Sequence, residues 1–342
     1  MTTLNSSVPL TRWQSIITYL RFEYLSVALL FPLLGAATAG VPLTIFHLLG
    51  ILGGAFAYHL YVSLLNDAVD LPLDRTNPAR AAYPLVSGRI SLGATMTIVL
   101  VQPLIAAAII AWQSGFLATY AAMGIAFGMM TIYNIWGKRA SFPPLIDVVQ
   151  GIGFSSLTLY GAALSGGLTR LSWIAFALGV IWMVLINLLG GLRDLNSDLA
   201  FGVKTTPLFF RVKPDGREMV APRFARIYGY LLQISLIVIG ILAIAWNDLH
   251  YPGLLSIGLA TASFAVGGMA LFHLITLFRV AEKDYDTMLL VGFRVIGLSA
   301  AGLILIVLPA LPLWEIFVVL LIFFWAFHDY SLGPVLSYWR NR

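Results

Sequence analysis

Ten apolar runs, each about as long as a lipid bilayer is thick, leave this chain little choice of surroundings. They fall at residues 20–40, 43–65, 93–112, 115–134, 144–165, 172–192, 225–246, 253–278, 288–308 and 312–330. A helix rises about 1.5 Å per residue, so roughly 20 residues cross a hydrocarbon core about 30 Å thick. Backbone amides in lipid have no water to bond. Only helices and closed barrels satisfy them, and these runs lack the two-residue alternation of a barrel strand. Hydrophobic residues make up 60% of the chain and charged residues 10%, against about 25% charge in soluble domains. The expectation is an all-α, polytopic transmembrane bundle forming a single domain over 1–342, around a central cavity. The ninth and tenth runs are separated only by Pro309–Pro312, so nine spans with one broken helix is the alternative count.

Charge placement orients the bundle. Eighteen of the twenty Lys and Arg residues fall on one side of the ten-span arrangement; Arg170 lies on the other side and Arg294 inside a span. Positive charge favours the cytoplasmic side of a membrane. That side then holds both termini and two long polar segments, 66–92 and 193–226. The net charge of +5 is therefore read as topology, not as nucleic-acid binding. The N-terminal stretch is too poor in apolar residues for a cleaved signal, and the absence of Cys excludes disulfides and thiolate chemistry.

The acidic residues carry the functional information. Only 15 Asp and Glu occur, and five fall in two clusters at the cytoplasmic ends of spans. Asn66, Asp67, Asp70 and Asp74 lie in NDAVDLPLD; Asp194 and Asp198 lie in DLNSDLAFG. On a helix, Asn66, Asp70 and Asp74 share one face, with Asp67 on the adjacent edge, and Asp194 and Asp198 repeat the four-residue spacing. Like charges at that spacing repel. A hard divalent cation removes the repulsion, and Mg²⁺ commonly binds one or two carboxylates plus substrate phosphates. Two facing clusters could hold two ions with a diphosphate between them. Arg75, Arg80, Lys138, Arg193 and Lys204 stand near the clusters and could balance the phosphate charge, although cytoplasmic loops carry such residues anyway. Asp147, one turn into the fifth span, is an ionisable group inside a membrane helix and a candidate for orienting or deprotonating a second substrate. Arg21, at the start of the first span, is a candidate for an acceptor's acidic group. Arg294 pairs with an acid, lines the cavity, or snorkels to the surface. Tyr160 and Asn187 are expected in interhelical hydrogen bonds, and His59 and His273 as buried polar groups rather than ligands.

These motifs resemble those of the UbiA superfamily of intramembrane prenyltransferases. Asn66–Asp74 matches its NDxxDxxxD pattern after the second helix. Asp194, Asp198 and Gly202 match DxxxDxxxG after the sixth, and Tyr133 and Lys138 match YxxxxK after the fourth. The resemblance covers about the first 225 residues. It implies Mg²⁺ as cofactor and a metal-ligand set of Asn66, Asp67, Asp70, Asp74, Asp194 and Asp198, with Asn66, Asp70, Asp194 and Asp198 foremost. It also implies an isoprenoid diphosphate donor contacted by Lys138, Tyr133 and nearby Arg. Two features depart from the pattern. Tyr83-Pro84-Leu85 stands where relatives have Arg-Pro-Leu, with Arg80 a possible substitute, and ten helices are counted where nine are usual.

The leading function is transfer of a prenyl chain to an aromatic or quinone-precursor acceptor. A terpene cyclase on the same scaffold would attack the cation with the substrate's own double bonds. A transporter would instead place ionisable groups at mid-membrane in broken helices. The orientation has a direct test: single cysteines at positions 80, 210 and 340 should be labelled from the cytoplasm and one at 168 from the opposite side. Labelling of position 340 from outside would return the chain to nine spans.

Overall fold

The computed structural model describes residues 12–76, 80–113, 116–215, 218–246, 253–279, 285–307, 311 and 313–331. It consists of helices α1 Arg12–Leu20, α2 Phe22–Thr38, α3 Ile45–Asp74, α4 Leu92–Gln113, α5 Leu117–Trp136, α6 Pro143–Ser165, α7 Arg170–Arg193, α8 Leu195–Ala200, α9 Thr206–Phe209, α10 Arg223–Ala245, α11 Gly253–Arg279, α12 Tyr285–Val307 and α13 Leu313–Ser331. A short antiparallel hairpin, β1 Lys213–Asp215 with β2 Glu218–Val220, interrupts the loop before α10. The ten long helices lie on the ten apolar runs. Seven of the described helices are long and apolar enough to cross a membrane. Of the other three, α2 and α13 carry shorter apolar stretches, Leu25–Thr38 and Trp314–Phe324. α5 is diluted by Tyr120, Tyr133 and Asn134.

Three local features differ from the sequence expectation. Residues 66–74, expected in a loop, are the last turns of α3. No breaker precedes Pro72, so the helix runs on past the end of its apolar stretch. The first span is preceded by a separate helix, and the chain breaks between them at Arg21, whose φ of 47° is left-handed. Segment 193–226 is not one loop with a single helix: it holds α8, α9 and the hairpin. The Pro309–Pro312 connection, apart from Leu311, and the basic tail at 337–342 lie outside the described residues.

Neighbours in sequence pack as neighbours in space: α3 on α4, α5 on α6, α6 on α7, α10 on α11 and α11 on α12. Long-range packing of α2 on α6, α7 on α10 and α12, and α13 on α2 draws the two halves of the chain together. The α2–α6 crossing is backbone to backbone. A Cβ on Gly35 would lie 1.9 Å from the Thr158 carbonyl oxygen, and one on Gly161 would lie 1.9 Å from that of Pro32. Small residues permit this approach where helices gain nothing from excluding water from each other. At the end away from the acidic motifs, caps fix the helix starts. Thr169 and Ser172 form a reciprocal capping box on α7, and Thr38 Oγ1 lies 2.7 Å from Ser172 Oγ. Tyr160 donates its hydroxyl to the Gly50 carbonyl at 2.8 Å, an interhelical bond of the kind expected for it.

Candidate active site

Both acidic motifs reach one cavity of about 480 Å³. Asn66 and Asp70 enter it from the end of α3, Tyr133 and Asn134 from the end of α5, and Lys138 from the turn Gly137–Arg139. Asp194 and Asp198 enter from the end of α7 and from α8. The motifs are tied through the backbone as well, since Lys204 N–H donates to the Lys138 carbonyl at 3.4 Å. Gly202 makes the return from α8 possible. Its φ of +65° is left-handed, where a side chain would be strained, although nothing would obstruct a Cβ in space.

Each carboxylate but one in the cavity is already engaged. Lys138 Nζ lies 2.5 Å from Asp70 Oδ2. Arg193 holds Asp194 with two bonds, Nε to Oδ1 at 2.8 Å and Nη2 to Oδ2 at 2.5 Å. Asp147 accepts a hydrogen bond from Thr206 Oγ1, which opens α9. Among the described residues, Asp198 has no cation within ion-pair distance. Burial, and then the charge of Asp194, push its carboxyl up to about 6, with Lys138 and Arg193 pulling the other way. Burial is the larger cause, and the neighbouring carboxylate adds to it. Asn66 donates to Asn134 Oδ1 at 3.4 Å, and Asn134 in turn donates to the Val62 carbonyl at 3.3 Å.

Of the candidate residues, Asn66, Asp70, Asp194, Asp198, Lys138, Tyr133, Asp147, Arg21, Arg193 and Lys204 line this cavity. Asp67, Asp74, Arg75 and Arg80 do not. Asp67 is buried and ion-paired to Arg21, so Arg21 reaches the cavity with its charge already committed in part. Arg75 is exposed beyond the end of α3, and the Arg80 guanidinium sits 4.7 Å over the ring of Tyr83. Arg294 is exposed on α12 and is not a lining residue. His59 bonds the Leu20 carbonyl at 2.9 Å, as a buried polar group rather than a ligand. Sequence reasoning passed over Asn134, Thr205 and Thr206. Asn134 was detectable as the polar neighbour of Tyr133 in an apolar helix, but the two threonines join only through the fold.

The deeper walls of the cavity are Val27, Phe154, Trp182, Met183, Ile186 and Ile296. The arrangement is thus a polar, charged mouth over an apolar chamber. Fold and site together define a multi-pass helical membrane protein with a charged-mouthed, apolar-walled cavity. The UbiA prenyltransferase family profile matches residues 26–294, and the chain belongs to that family. A 4-hydroxybenzoate octaprenyltransferase from Tolumonas auensis is 29% identical over 189 residues, covering 54% of this chain and 64% of that one. The chain therefore matches somewhat under two thirds of that relative's length. Among solved structures, a digeranylgeranylglyceryl phosphate synthase aligns with a TM-score of 0.66 at 16% identity, over 87% of this chain and 98% of that one. A UbiA homologue from Archaeoglobus fulgidus bound to GPP and Mg²⁺ aligns with a TM-score of 0.59 at 17% identity, over 84% and 99%.

The Arg21–Asp67 pair is predicted to be structural. Breaking a buried ion pair leaves one charge without a partner, at a cost of about 3–5 kcal/mol. Arg21→Leu should lower thermal stability in detergent by about that much, and Asp67→Asn combined with it should recover part of the loss. Asp194→Asn should change stability far less. Equal effects of Arg21→Leu and Asp194→Asn would remove the distinction.

Proposed function

We propose that this protein transfers an isoprenoid chain from its diphosphate to a small aromatic acceptor, in a Mg²⁺-dependent reaction at the cytoplasmic face of the membrane. The observation that carries the reading is the convergence of Asn66, Asp70, Asp194 and Asp198 with Lys138, Arg193 and Lys204 on one cavity with an apolar interior. The names of the relatives support donor and acceptor classes: a 4-hydroxybenzoate octaprenyltransferase among the curated proteins and a GPP- and Mg²⁺-bound homologue among the structures. The excess of Lys and Arg on the same side supports the cytoplasmic assignment.

The residues fit the metal. Asn66, Asp70, Asp194 and Asp198 offer hard oxygen ligands, and a divalent cation would offset the repulsion between Asp194 and Asp198, which after burial raises the Asp198 carboxyl. Among the described residues no three acidic or His side chains gather as a complete metal cage. Mg²⁺ commonly takes much of its coordination from substrate phosphate and water. The chemistry such an ion supplies is neutralisation of the diphosphate as it leaves.

The rest falls to the protein's own groups. Lys138, Arg193 and Lys204 hold the diphosphate while the allylic C–O bond breaks and charge gathers on the phosphate oxygens. Phe154, Trp182, Met183 and Ile186 exclude the water that would quench the allylic cation. The aromatic ring attacks, a C–C bond forms, and the ring loses a proton. Asp147, oriented by Thr206, is the group placed to accept it. Asp147 with Gln150, Asn187 and Thr205 gives the chamber polar groups besides those of the acidic motifs. Those groups favour a second, polar substrate over cyclisation of the donor alone.

Asp70→Ala and Asp194→Ala should each abolish turnover while the protein stays folded, and EDTA should inhibit until Mg²⁺ is restored. Full activity in EDTA would refute the metal assignment, and a cyclic hydrocarbon formed without acceptor would turn the reading to a cyclase. Lys138→Ala should lower kcat by on the order of 10²-fold, because the charge it meets grows towards the transition state. Lys138→Arg should rescue partly. Arg139, exposed in the same turn and outside the cavity lining, is the control. If Arg139→Ala matches Lys138→Ala, Lys138 is only a loop charge.

A further inference from the structure

A second opening lies deeper in the bundle than the polar cavity. It is a narrow cleft of about 50 Å³ between α2, α6, α7, α10 and α12. It reaches Leu171 near the start of α7 and Val307 at the end of α12, and so runs towards the end of the bundle opposite the acidic residues. Apart from Thr158 and the indole of Trp182, its lining is wholly hydrocarbon, Phe31 and glycine. Any occupant must be apolar, since a polar group there would lose its hydration with little in return.

Trp182 is the one residue that lines both the cleft and the polar cavity. It is 3% exposed and held in place on two sides. Its Nε1 donates to the Ile296 carbonyl at 3.3 Å, and its ring centroid lies 5.8 Å from that of Phe31. Phe31 in turn packs against Phe154 at 6.2 Å. Phe154 faces the polar cavity and Phe31 the cleft, so the three rings form a partition in which Phe31 touches both others and Trp182 borders both spaces. Trp182 is twelve residues before Asp194 on the same helix, on the order of 18 Å along its axis at 1.5 Å per residue.

We propose that Trp182 sets the length of isoprenoid chain that the cavity accepts. The inference rests on the prenyl-diphosphate reading above. A chain anchored by its diphosphate at the acidic end runs down the apolar chamber, and its last unit meets the indole. A donor longer by one unit has no room until the indole is removed. The cleft behind it then offers the extra carbons an apolar bed. Exclusion of an extra apolar group by a filled wall is worth about tenfold or more in kcat/KM.

The test measures kcat/KM with geranyl, farnesyl and geranylgeranyl diphosphate, at fixed Mg²⁺ and with an aromatic acid as acceptor. Trp182→Ala should raise the ratio of geranylgeranyl to geranyl turnover by about tenfold or more, whatever its effect on turnover with geranyl diphosphate itself. Trp182→Phe, which keeps a ring in the partition and protects the fold, should shift the ratio in the same direction by less. Adding Ala300→Phe to Trp182→Ala refills the cleft and should return the ratio to the wild-type value. Equal loss with all three donors in both Trp182 variants would make Trp182 a packing residue only. A ratio that stays fixed while the wild type remains active would overturn the partition alone and leave the transferase reading standing. An Ala300→Phe that does not reverse the shift would also overturn it. No turnover of any donor by the wild type would overturn both.

Discussion

Carboxylates at the rim of an apolar bundle are costly without a positive partner, and the architecture of the acidic end follows from how three of them find one. Asp67 turns to Arg21, Asp70 to Lys138 and Asp194 to Arg193. The first pair is buried and closes the gap between the first helix pair and α3. The other two stand at the mouth of the cavity, where a substrate or ion can compete for them. Neighbouring acids on one helix thus differ in role because they face different sides of it. The left-handed backbone at Arg21 belongs to the same solution. It turns the chain at the residue whose guanidinium reaches Asp67, and strain of that kind persists only where the surroundings hold it.

The large-scale fold was legible in the sequence because bilayer thickness is a strict ruler. Runs of about 20 apolar residues gave the places of all ten long helices. The acidic motifs were legible for a related reason: a chain with so few acids places them only where they are needed. What remained hidden depends on contacts between distant segments. Nothing in NDAVDLPLD distinguishes Asp67 from Asp70, since the difference lies in Arg21, 46 residues earlier. Arg75 and Arg80 drew attention through proximity in sequence, yet α3 runs on to Asp74 and leaves Arg75 outside the cavity while Arg80 stacks on Tyr83. Thr206 became visible only when α9 folded back to meet Asp147 on α6.

The cavity itself is a gradient. Its mouth holds Asp70, Asp194, Asp198, Lys138, Arg193 and Lys204, and its depth holds Phe154, Trp182 and Ile186. Such a gradient orients an amphiphile before any chemistry occurs: only one direction of entry keeps charge with charge and hydrocarbon with hydrocarbon. It also separates the places where opposite charges develop. In the reaction proposed above, a departing diphosphate would stay among cations, while the allylic carbon would face side chains that offer no competing nucleophile.

The glycine contacts between α2 and α6 have a mechanical consequence. Gly35 and Gly161 put main chain against main chain, and a carbonyl has no alternative rotamer with which to yield. A substrate that widens the chamber therefore finds no compliance along that seam. The seam acts as a rigid spine. Any breathing of the chamber falls elsewhere, as where the Trp182 indole of α7 meets the Ile296 carbonyl of α12, a contact in which one partner is a side chain that can reorient.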